Sequence, residues 1–368
     1  MAIKLELVNL RKEYGPLVAV NDVSLKVEEG ETMALLGPSG CGKSTTLNMI
    51  VGLEAPTSGD ILIDGQSVSK IPVGRRNVGL VFQDYAVFTH MTVRANMEYG
   101  LKVRKIGQRE INAQVEKMAS FVGLADKLHR KPGELSASEM QRVAIGRTLV
   151  CSPQILLLDE PLSNLESEMR HQMRRELHRI QLETKQTIIY VTHDQIEALS
   201  LAHRIAVMNL GVLQQYDTSY NIYHYPRSTF VGSFLGNPPM NFIKGTLKTV
   251  GGQRSIEQGG ARIPLPAMKE LTGVSDGAAV TVGIRAETAD IVPVGSPGSF
   301  EAELFAIDPQ GPEAVVTAKF ANTLLKVVVP TSAVPKSSSG SIALLPHANL
   351  LALFDTQSGV RLMNGAAS

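Results

Sequence analysis

The sequence predicts an α/β domain with a parallel sheet, followed by a smaller all-β domain. Three observations support this prediction: a glycine-rich loop between a short apolar strand and a helix, alternating strands and helices after residue 154, and short strands separated by Gly, Pro and Ser after residue 236. At 368 residues the chain is long enough to bury two or three separate cores.

The glycine-rich loop contains the residue types that hold a triphosphate. Residues 31–36 read as a buried strand, and residues 43–51 read as a helix whose N-terminus would face the phosphates. Glycine lets backbone N–H groups curl around phosphate oxygens, lysine reaches the β- and γ-phosphates, and a hydroxyl can bind Mg²⁺. The loop therefore predicts a site for ATP and Mg²⁺ that is formed by Gly37, Pro38, Ser39, Gly40, Cys41, Gly42, Lys43 and Ser44.

Two carboxylates follow a second buried strand, which would end beside this loop. Asp159 comes directly after the apolar run Ile155–Leu158, a position from which it can hold Mg²⁺. Glu160 is the next residue and points differently, so it is suited to accept a proton from the water that attacks the γ-phosphate. Alternatively, Glu160 caps the turn before Pro161.

His193 and Gln83 follow two further predicted strands, Thr187–Thr192 and Val78–Phe82. An imidazole at the same sheet edge could donate to the γ-phosphate, and the amide of Gln83 could touch Mg²⁺ or the attacking water. A lone histidine or glutamine at a strand end is more commonly a solvated side chain, so these two assignments depend on position.

Composition excludes several classes of protein. The 36 basic and 35 acidic residues nearly cancel, so no overall field attracts the chain to nucleic acid or to an anionic membrane. No run approaches 18 apolar residues, and the N-terminus leads directly into a strand pattern, which predicts a cytosolic protein without a signal peptide. Cys41 and Cys151 are too few and too scattered for a disulfide framework or a metal site.

The chain divides into segments of different pattern. Residues 3–36 read as strands, Asp64-Gly65 is a hairpin signal, and residues 92–150 have apolar residues at helical spacing. A domain boundary is predicted near Gly236, because the paired prolines that follow it cannot continue a helix. The predicted barrel strands after this boundary are Phe242–Val250, Ala279–Ile284, Ser299–Ile307, Ala314–Phe320, Leu324–Val329, Ser341–Leu345 and Leu350–Phe354.

These motifs resemble the ATPase subunits of ABC transporters, in particular those of carbohydrate importers such as the maltose importer, over essentially the whole chain. The resemblance implies a nucleotide-binding domain over residues 1–235, with a helical subdomain at about 92–150, and a TOBE-like oligonucleotide-fold domain over 236–368. It also extends the phosphate loop to Thr45 and places Tyr14 where the family stacks an aromatic ring on adenine. The matching segments are Gly37–Thr45 (Walker A), Gln83 (Q-loop), Leu135–Arg142 (signature), Ile155–Glu160 (Walker B), Ser163–Glu166 (D-loop), His193 (switch), Phe234–Phe242, Val282–Glu287 and Leu353–Gly359.

The signature segment departs from the family pattern Leu-Ser-Gly-Gly-Gln. Ala137 and Ser138 replace the glycines, and Glu139 brings a negative charge where the family contacts the ATP of the opposite subunit. Ser136 remains as a helix N-cap and phosphate donor. In the D-loop, Glu166 replaces the usual aspartate. We therefore expect pairing with a non-identical second ATPase that has an intact signature; the alternative is a homodimer that tolerates the variant.

The resemblance implies an enzyme that hydrolyses ATP to power a bacterial importer, peripheral on the cytoplasmic face of the inner membrane. Its partners would be two permease subunits and an external solute-binding protein, without nucleic acid. The carbohydrate-type tail favours a sugar, polyol, glycerol or glycerol-phosphate, and polyamine, iron or other small-ion importers are the alternative. A DNA-repair ATPase would carry a long coiled-coil insertion, whereas here about ninety residues without sustained heptads separate the phosphate loop from the signature. A translation ATPase would need two tandem ATPase domains, whereas this sequence has one phosphate loop. A regulatory protein with secondary ATPase activity stays open.

Overall fold

The computed structural model of the protein describes residues 2–268, 271–335, 337 and 339–362, which divide into two compact units, 1–219 and 220–368. In the N-terminal unit, a six-stranded sheet has the strand order β10-β9-β3-β8-β7-β6. All neighbouring strands are parallel except β10, which is antiparallel to β9. These strands are β3 (Thr32–Leu36), β6 (Val78–Val81), β7 (Ile155–Asp159), β8 (Thr187–Thr192), β9 (Arg204–Asn209) and β10 (Val212–Thr218).

A four-stranded antiparallel sheet, β2-β1-β4-β5, completes the β structure of this unit. Its strands are β1 (Ile3–Tyr14), β2 (Leu17–Glu28), β4 (Ser58–Ile63) and β5 (Gln66–Ser67). Asp64 and Gly65 have φ angles of 50° and 74° and join β4 to β5, so the predicted hairpin forms there.

Helices lie between the strands in sequence, and three α-helices fall in the predicted helical region at about residues 92–150. The α-helices are α1 (Lys43–Val51), α2 (Val93–Val103), α3 (Gln108–Phe121), α4 (Ala137–Leu149), α5 (Ser167–Thr184) and α6 (Gln195–Leu201). Helices α2, α3 and α4 share a core of their own, in which Val93, Met97, Ile111, Val115 and Val143 are buried. Within the described part of the chain, no helix has the length and apolarity needed to cross a membrane.

The central strands of the parallel sheet are apolar throughout because both faces of the sheet are covered. Every residue of β3 and β8 is buried, and in β7 only the final Asp159 is partly exposed. This pattern is typical of a parallel sheet. Because parallel strands end at the same edge, the residues that follow β3, β7 and β8 lie together there.

Among its described residues, the C-terminal unit contains two α-helices and two five-stranded sheets, β13-β12-β11-β14-β20 and β15-β19-β16-β17-β18. The all-β prediction for the C-terminal domain is confirmed, and each of the seven predicted strands forms within three residues of its predicted ends. The sequence patterns missed β12, β13 and β15. The elements are α7 (Ser219–His224), α8 (Thr229–Phe234), β11 (Asn241–Val250), β12 (Gln253–Gln258), β13 (Ala261–Pro264), β14 (Ala279–Ile284), β15 (Ala289–Val292), β16 (Phe300–Gln310), β17 (Glu313–Phe320), β18 (Thr323–Pro330), β19 (Gly340–Pro346) and β20 (Ala352–Asp355).

The second unit starts before the predicted domain boundary near Gly236. Buried Arg285 donates to the carbonyl oxygens of Tyr223 at 2.7 Å and Gly232 at 3.1 Å, and also to that of Leu235. These bonds tie the segment that contains α7 and α8 to the strands of the same unit. The boundary near Gly236 stays a prediction of where the barrel sequence begins.

Candidate functional site

The phosphate loop, defined as residues 37–45, runs from the end of β3 into α1 and has two glycines that no other residue could replace without movement. A Cβ on Gly37 would lie 2.3 Å from the carbonyl oxygen of Met208, and one on Gly42 would lie 2.4 Å from that of Ala19. Gly42 also has a φ of 101°, which L-residues rarely adopt. The close approach of backbone therefore explains both glycines.

Lys43 is the first residue of α1 and is 6% exposed. Its ammonium donates to the carbonyl oxygens of Gly37 at 2.8 Å and Pro38 at 3.0 Å. Gly42, the N-cap, provides no side-chain cap for α1, so the backbone N–H groups of the first turn are available to an anion. The loop thus combines a cation with a helix N-terminus, which is the chemistry that phosphate requires.

Asp159 ends β7 beside this loop and fits a metal ligand. Its Oδ1 atom is buried and has no hydrogen-bond partner among the described residues. Burial and, secondarily, the neighbouring Glu160 raise the pKa of Asp159, whereas Lys43 and the Ser44 hydroxyl oppose the rise. A buried carboxylate oxygen without a donor costs free energy, and a divalent cation would satisfy it. Asp159 and Ser44 are therefore two residues that could hold Mg²⁺ here.

Glu160 and His193 meet at the same sheet edge. The Nδ1 atom of His193 lies 3.1 Å from Oε2 of Glu160, with side chains 57% and 21% exposed. Glu160 has a φ of 43°, and its N–H donates to the carbonyl oxygen of Val191 at 3.0 Å. An ionised carboxylate only accepts, so Nδ1 carries the proton of this hydrogen bond. The structure thus joins two residues that the sequence placed 33 positions apart.

Gln83 also reaches this edge, through the D-loop. Its side-chain amide donates to Ser163 Oγ at 3.2 Å, and its backbone carbonyl oxygen accepts from the side-chain amide of Asn164 at 2.9 Å. Ser163 Oγ in turn donates to the carbonyl oxygen of Glu160 at 2.9 Å. Gln83 is thereby connected to the segment that carries Glu160.

Residues of the variant signature are hydrogen-bonded to one another, and Glu139 is paired with Lys127. Ser136 caps α4, its Oγ accepts from Glu139 N at 3.3 Å, and the carboxylate of Glu139 accepts from Ser136 N at 2.8 Å, which is a capping box. Glu139 also forms an ion pair with Lys127, and this partner, followed by Ser136, lowers the pKa of Glu139 to about 2. The predicted N-cap is confirmed, and the negative charge of Glu139 is compensated by Lys127 within the chain.

Tyr14 lies at the end of β1, away from any core, with a side chain that is 43% exposed. The ammonium of Lys12 is 4.9 Å from the centroid of its ring. An exposed ring beside a cation is available for stacking. Among the described residues, no hydrogen bond joins Tyr14 to the phosphate loop.

Glu197 is a buried residue that the sequence analysis missed. Its Oε2 accepts from the hydroxyls of Tyr190 and Thr192, each at 2.8 Å, and Thr192 precedes His193. Burial raises the pKa of Glu197. In sequence, Asp194 followed three residues later by Glu197 reads as an exposed capping box. Only the burial of Glu197 and its hydrogen bonds to β8 identify it as part of this region.

Family models and known relatives match this chain. An ABC transporter family model matches residues 20–163, and a MalK OB fold domain model matches residues 236–289. A relative from Cereibacter sphaeroides, named sn-glycerol-3-phosphate import ATP-binding protein UgpC, is 39% identical over 98% of this chain and 99% of its own. The trehalose/maltose import ATP-binding protein MalK of Thermococcus litoralis is 46% identical over 76% of this chain and 77% of its own. The sulfoquinovosyl glycerol transport ATP-binding protein SmoE of Agrobacterium fabrum is 40% identical over 87% and 89%.

Solved structures also match part of the chain. The cbiO1 protein of Clostridium perfringens, part of an ABC transporter complex, matches with a TM-score of 0.57 at 27% identity over 60% of this chain and 91% of its own. A dimeric ATP-binding cassette in a post-hydrolysis state, with ADP and Pi bound, matches with a TM-score of 0.53 at 29% identity over 58% and 98%.

The chain belongs to the ATP-binding subunits of ABC transporters, in the group that pairs the nucleotide-binding domain with a MalK-type OB fold. It is an ABC importer ATPase that binds ATP with Mg²⁺, as its relatives and the post-hydrolysis structure indicate. The predictions of fold class, ATPase activity and cofactors are therefore confirmed.

Proposed function

We propose that this chain powers the import of a sugar, polyol, glycerol or glycerol-phosphate. In this proposal it lies on the cytoplasmic face of the membrane, bound to two permease subunits, and an external binding protein delivers the solute. The names of its relatives support this solute class, since they describe ATP-binding proteins for import of sn-glycerol-3-phosphate and of trehalose/maltose, and for transport of sulfoquinovosyl glycerol. Polyamine and other small-ion importers are the alternative.

The site residues have distinct proposed roles. The phosphate loop and Lys43 bind and orient the triphosphate, and Tyr14 stacks on the adenine. Asp159, Ser44 and Gln83 would hold Mg²⁺, which supplies charge neutralisation when bound. Hydrolysis then depends mainly on positioning and electrostatics, because phosphoryl transfer needs little covalent chemistry from the protein.

The contact between Glu160 and His193 is the observation that carries the proposed hydrolytic step. Glu160 accepts the proton of the attacking water, and His193 holds the carboxylate in place through Nδ1–H, 3.1 Å from Oε2. Because Nδ1 already donates to Glu160, Nε2 can donate to the γ-phosphate only when the ring is an imidazolium. In its neutral form His193 therefore orients Glu160, and in its charged form it also stabilises the negative charge of the γ-phosphate.

Solute-stimulated ATP turnover tests the proposal. The chain is reconstituted with its permease pair and binding protein, and turnover is measured with maltose, glycerol, sn-glycerol-3-phosphate, spermidine or ferric iron. Stimulation by one of the first three supports the proposal. Stimulation only by spermidine or iron replaces it with the alternative. The Lys43→Ala variant is the control, since it should abolish stimulation with every solute.

We further propose that this ATPase pairs with a non-identical subunit. Support comes from the signature, where Ala137 and Ser138 add side chains and the hydroxyls of Ser136 and Ser138 lie 3.2 Å apart, turned toward each other. In a heterodimer, Glu160 would face an intact partner signature, and the variant signature would cover the slower site.

Purification of the tagged transporter tests this pairing directly. A second ATPase of different mass, and a larger loss of turnover from Glu160→Gln than from the equivalent change in the partner, would support asymmetry. A complex with two copies of this chain would instead establish the homodimer with a tolerated variant signature.

A further inference from the structure

The segment that follows Gln83 is held in an unfavourable backbone conformation. Tyr85 and Ala86 have φ angles of 64° and 45°, in the left-handed region that costs a residue other than glycine about 1–3 kcal/mol. Tyr85 is also buried, and its hydroxyl has no hydrogen-bond partner among the described residues. Two consecutive residues keep this conformation only if surrounding contacts enforce it.

Arg147 provides these contacts from helix α4. Its Nη1 donates to the carbonyl oxygen of Ala86 at 2.6 Å, and its Nη2 lies 3.5 Å from that of Tyr85. The guanidinium also lies over the ring of Phe88, 5.2 Å from its centroid. Since Ser136 caps the same helix, one helix joins the signature segment to the backbone that follows Gln83.

Other contacts fix the two ends of this segment. At its start, Gln83 is hydrogen-bonded to Ser163 and Asn164 of the D-loop. At its end, the fully buried Asn96 of α2 accepts from Phe88 N at 2.9 Å and donates to Phe88 O at 3.1 Å. Arg147 therefore acts on the middle of a loop that connects the sheet edge with the helical region.

We propose that Arg147 is a positioning residue for ATP hydrolysis, which sets the place of Gln83 by holding the backbone of Tyr85 and Ala86. This inference rests on the proposed role of Gln83 at the reaction site. A guanidinium suits the task because its planar fork donates to two carbonyl oxygens and stacks on an aromatic ring, whereas a lysine ammonium is a single flexible donor. The side-chain hydrogen bonds of Arg147 are with this loop, so we expect its effect on turnover to pass through Gln83.

A double-mutant cycle on the assembled transporter tests this mechanism. Turnover is measured for the wild type, Arg147→Met, Gln83→Ala and the double variant, and is normalised to the number of ATP-binding sites. We expect Arg147→Met to lower kcat about 10- to 100-fold, as a misplaced catalytic group does, while the KM for ATP stays nearly constant. Adding it to Gln83→Ala should cause no further loss, and Arg147→Lys should recover part of kcat.

Arg179 offers a matched control. It also donates to a backbone carbonyl oxygen, that of Phe121 at 2.6 Å, and its guanidinium lies 4.8 Å from the Phe121 ring centroid. None of its contacts among the described residues is with the segment that follows Gln83. Arg179→Met should therefore leave kcat per binding site unchanged. If Arg147→Met does not fold, Arg147→Lys takes its place in the cycle.

The outcomes separate the two ideas. If Gln83→Ala lowers kcat but Arg147→Met does not, or if the two losses multiply in the double variant, the role of Arg147 is wrong and that of Gln83 stands. If Gln83→Ala itself retains full kcat, the proposed role of Gln83 and the inference built on it both fail.

Discussion

Replacing Glu139 by glutamine should destabilise the protein, although this residue is a departure from the family signature. The substitution Glu139→Gln removes the ion pair with Lys127 and weakens the capping box on Ser136. In the folded chain the pKa of Glu139 falls from 4.5 to about 2. Each pKa unit corresponds to about 1.36 kcal/mol, so the whole shift is worth about 3 kcal/mol. Because the side chains of Lys127 and Glu139 are 24% and 18% exposed, solvent screening reduces the expected loss to about 1–2 kcal/mol.

The pH dependence follows from the direction of the shift. The folded pKa lies below the ordinary value of 4.5, so the stabilisation is complete above that pH and is lost as the pH falls toward 2. Unfolding of the wild type and of Glu139→Gln is compared by calorimetry at pH 7 and pH 4. The difference between them should narrow at pH 4, where the unfolded wild type already takes up protons.

Glu134→Gln is the control for this experiment, since Glu134 accepts from Lys131 N at 2.7 Å, as Glu139 does from Ser136 N, but has no ion pair among the described residues. It should cost less than Glu139→Gln at pH 7. The reasoning is refuted if Glu139→Gln is as stable as the wild type at pH 7, or if the two variants lose stability equally at both pH values.

Three further results are expected. Lys43→Ala should lower the affinity for a fluorescent ATP analogue at least about tenfold, because an ammonium on phosphate is a charge-assisted contact; unchanged affinity would contradict the role of the loop. Glu160→Gln should reduce ATP turnover about 10²- to 10⁴-fold, the usual contribution of a general base, with Mg-ATP affinity retained in the same titration. Gly42→Ala should destabilise the protein more than Gly40→Ala in thermal unfolding. A Cβ at Gly42 would meet Ala19 O at 2.4 Å, whereas one at Gly40 would meet nothing within 4 Å. Equal losses of stability would argue that only the positive φ of the two glycines matters.

Short-range sequence patterns predicted the elements that hold the site. The helix after the phosphate loop spans Lys43–Val51, as the sequence indicated, and β7 and β8 end at Asp159 and Thr192. These predictions succeed because buried parallel strands are apolar throughout and glycine positions reflect local backbone geometry. The strands β12, β13 and β15 were missed, because they are short and contain polar residues on their exposed sides.

The sequence by itself determined which residue types are present and on which strand ends they lie, because that information is local. Only the tertiary structure decided which of them meet. It brought Glu160 to His193 at 3.1 Å and paired Glu139 with Lys127. It also buried Glu197, which accepts a hydrogen bond from Tyr190 of β8, and placed Arg147 against the loop after Gln83. Side-chain direction and pairing across long stretches of chain depend on packing between elements, and no local pattern records that packing.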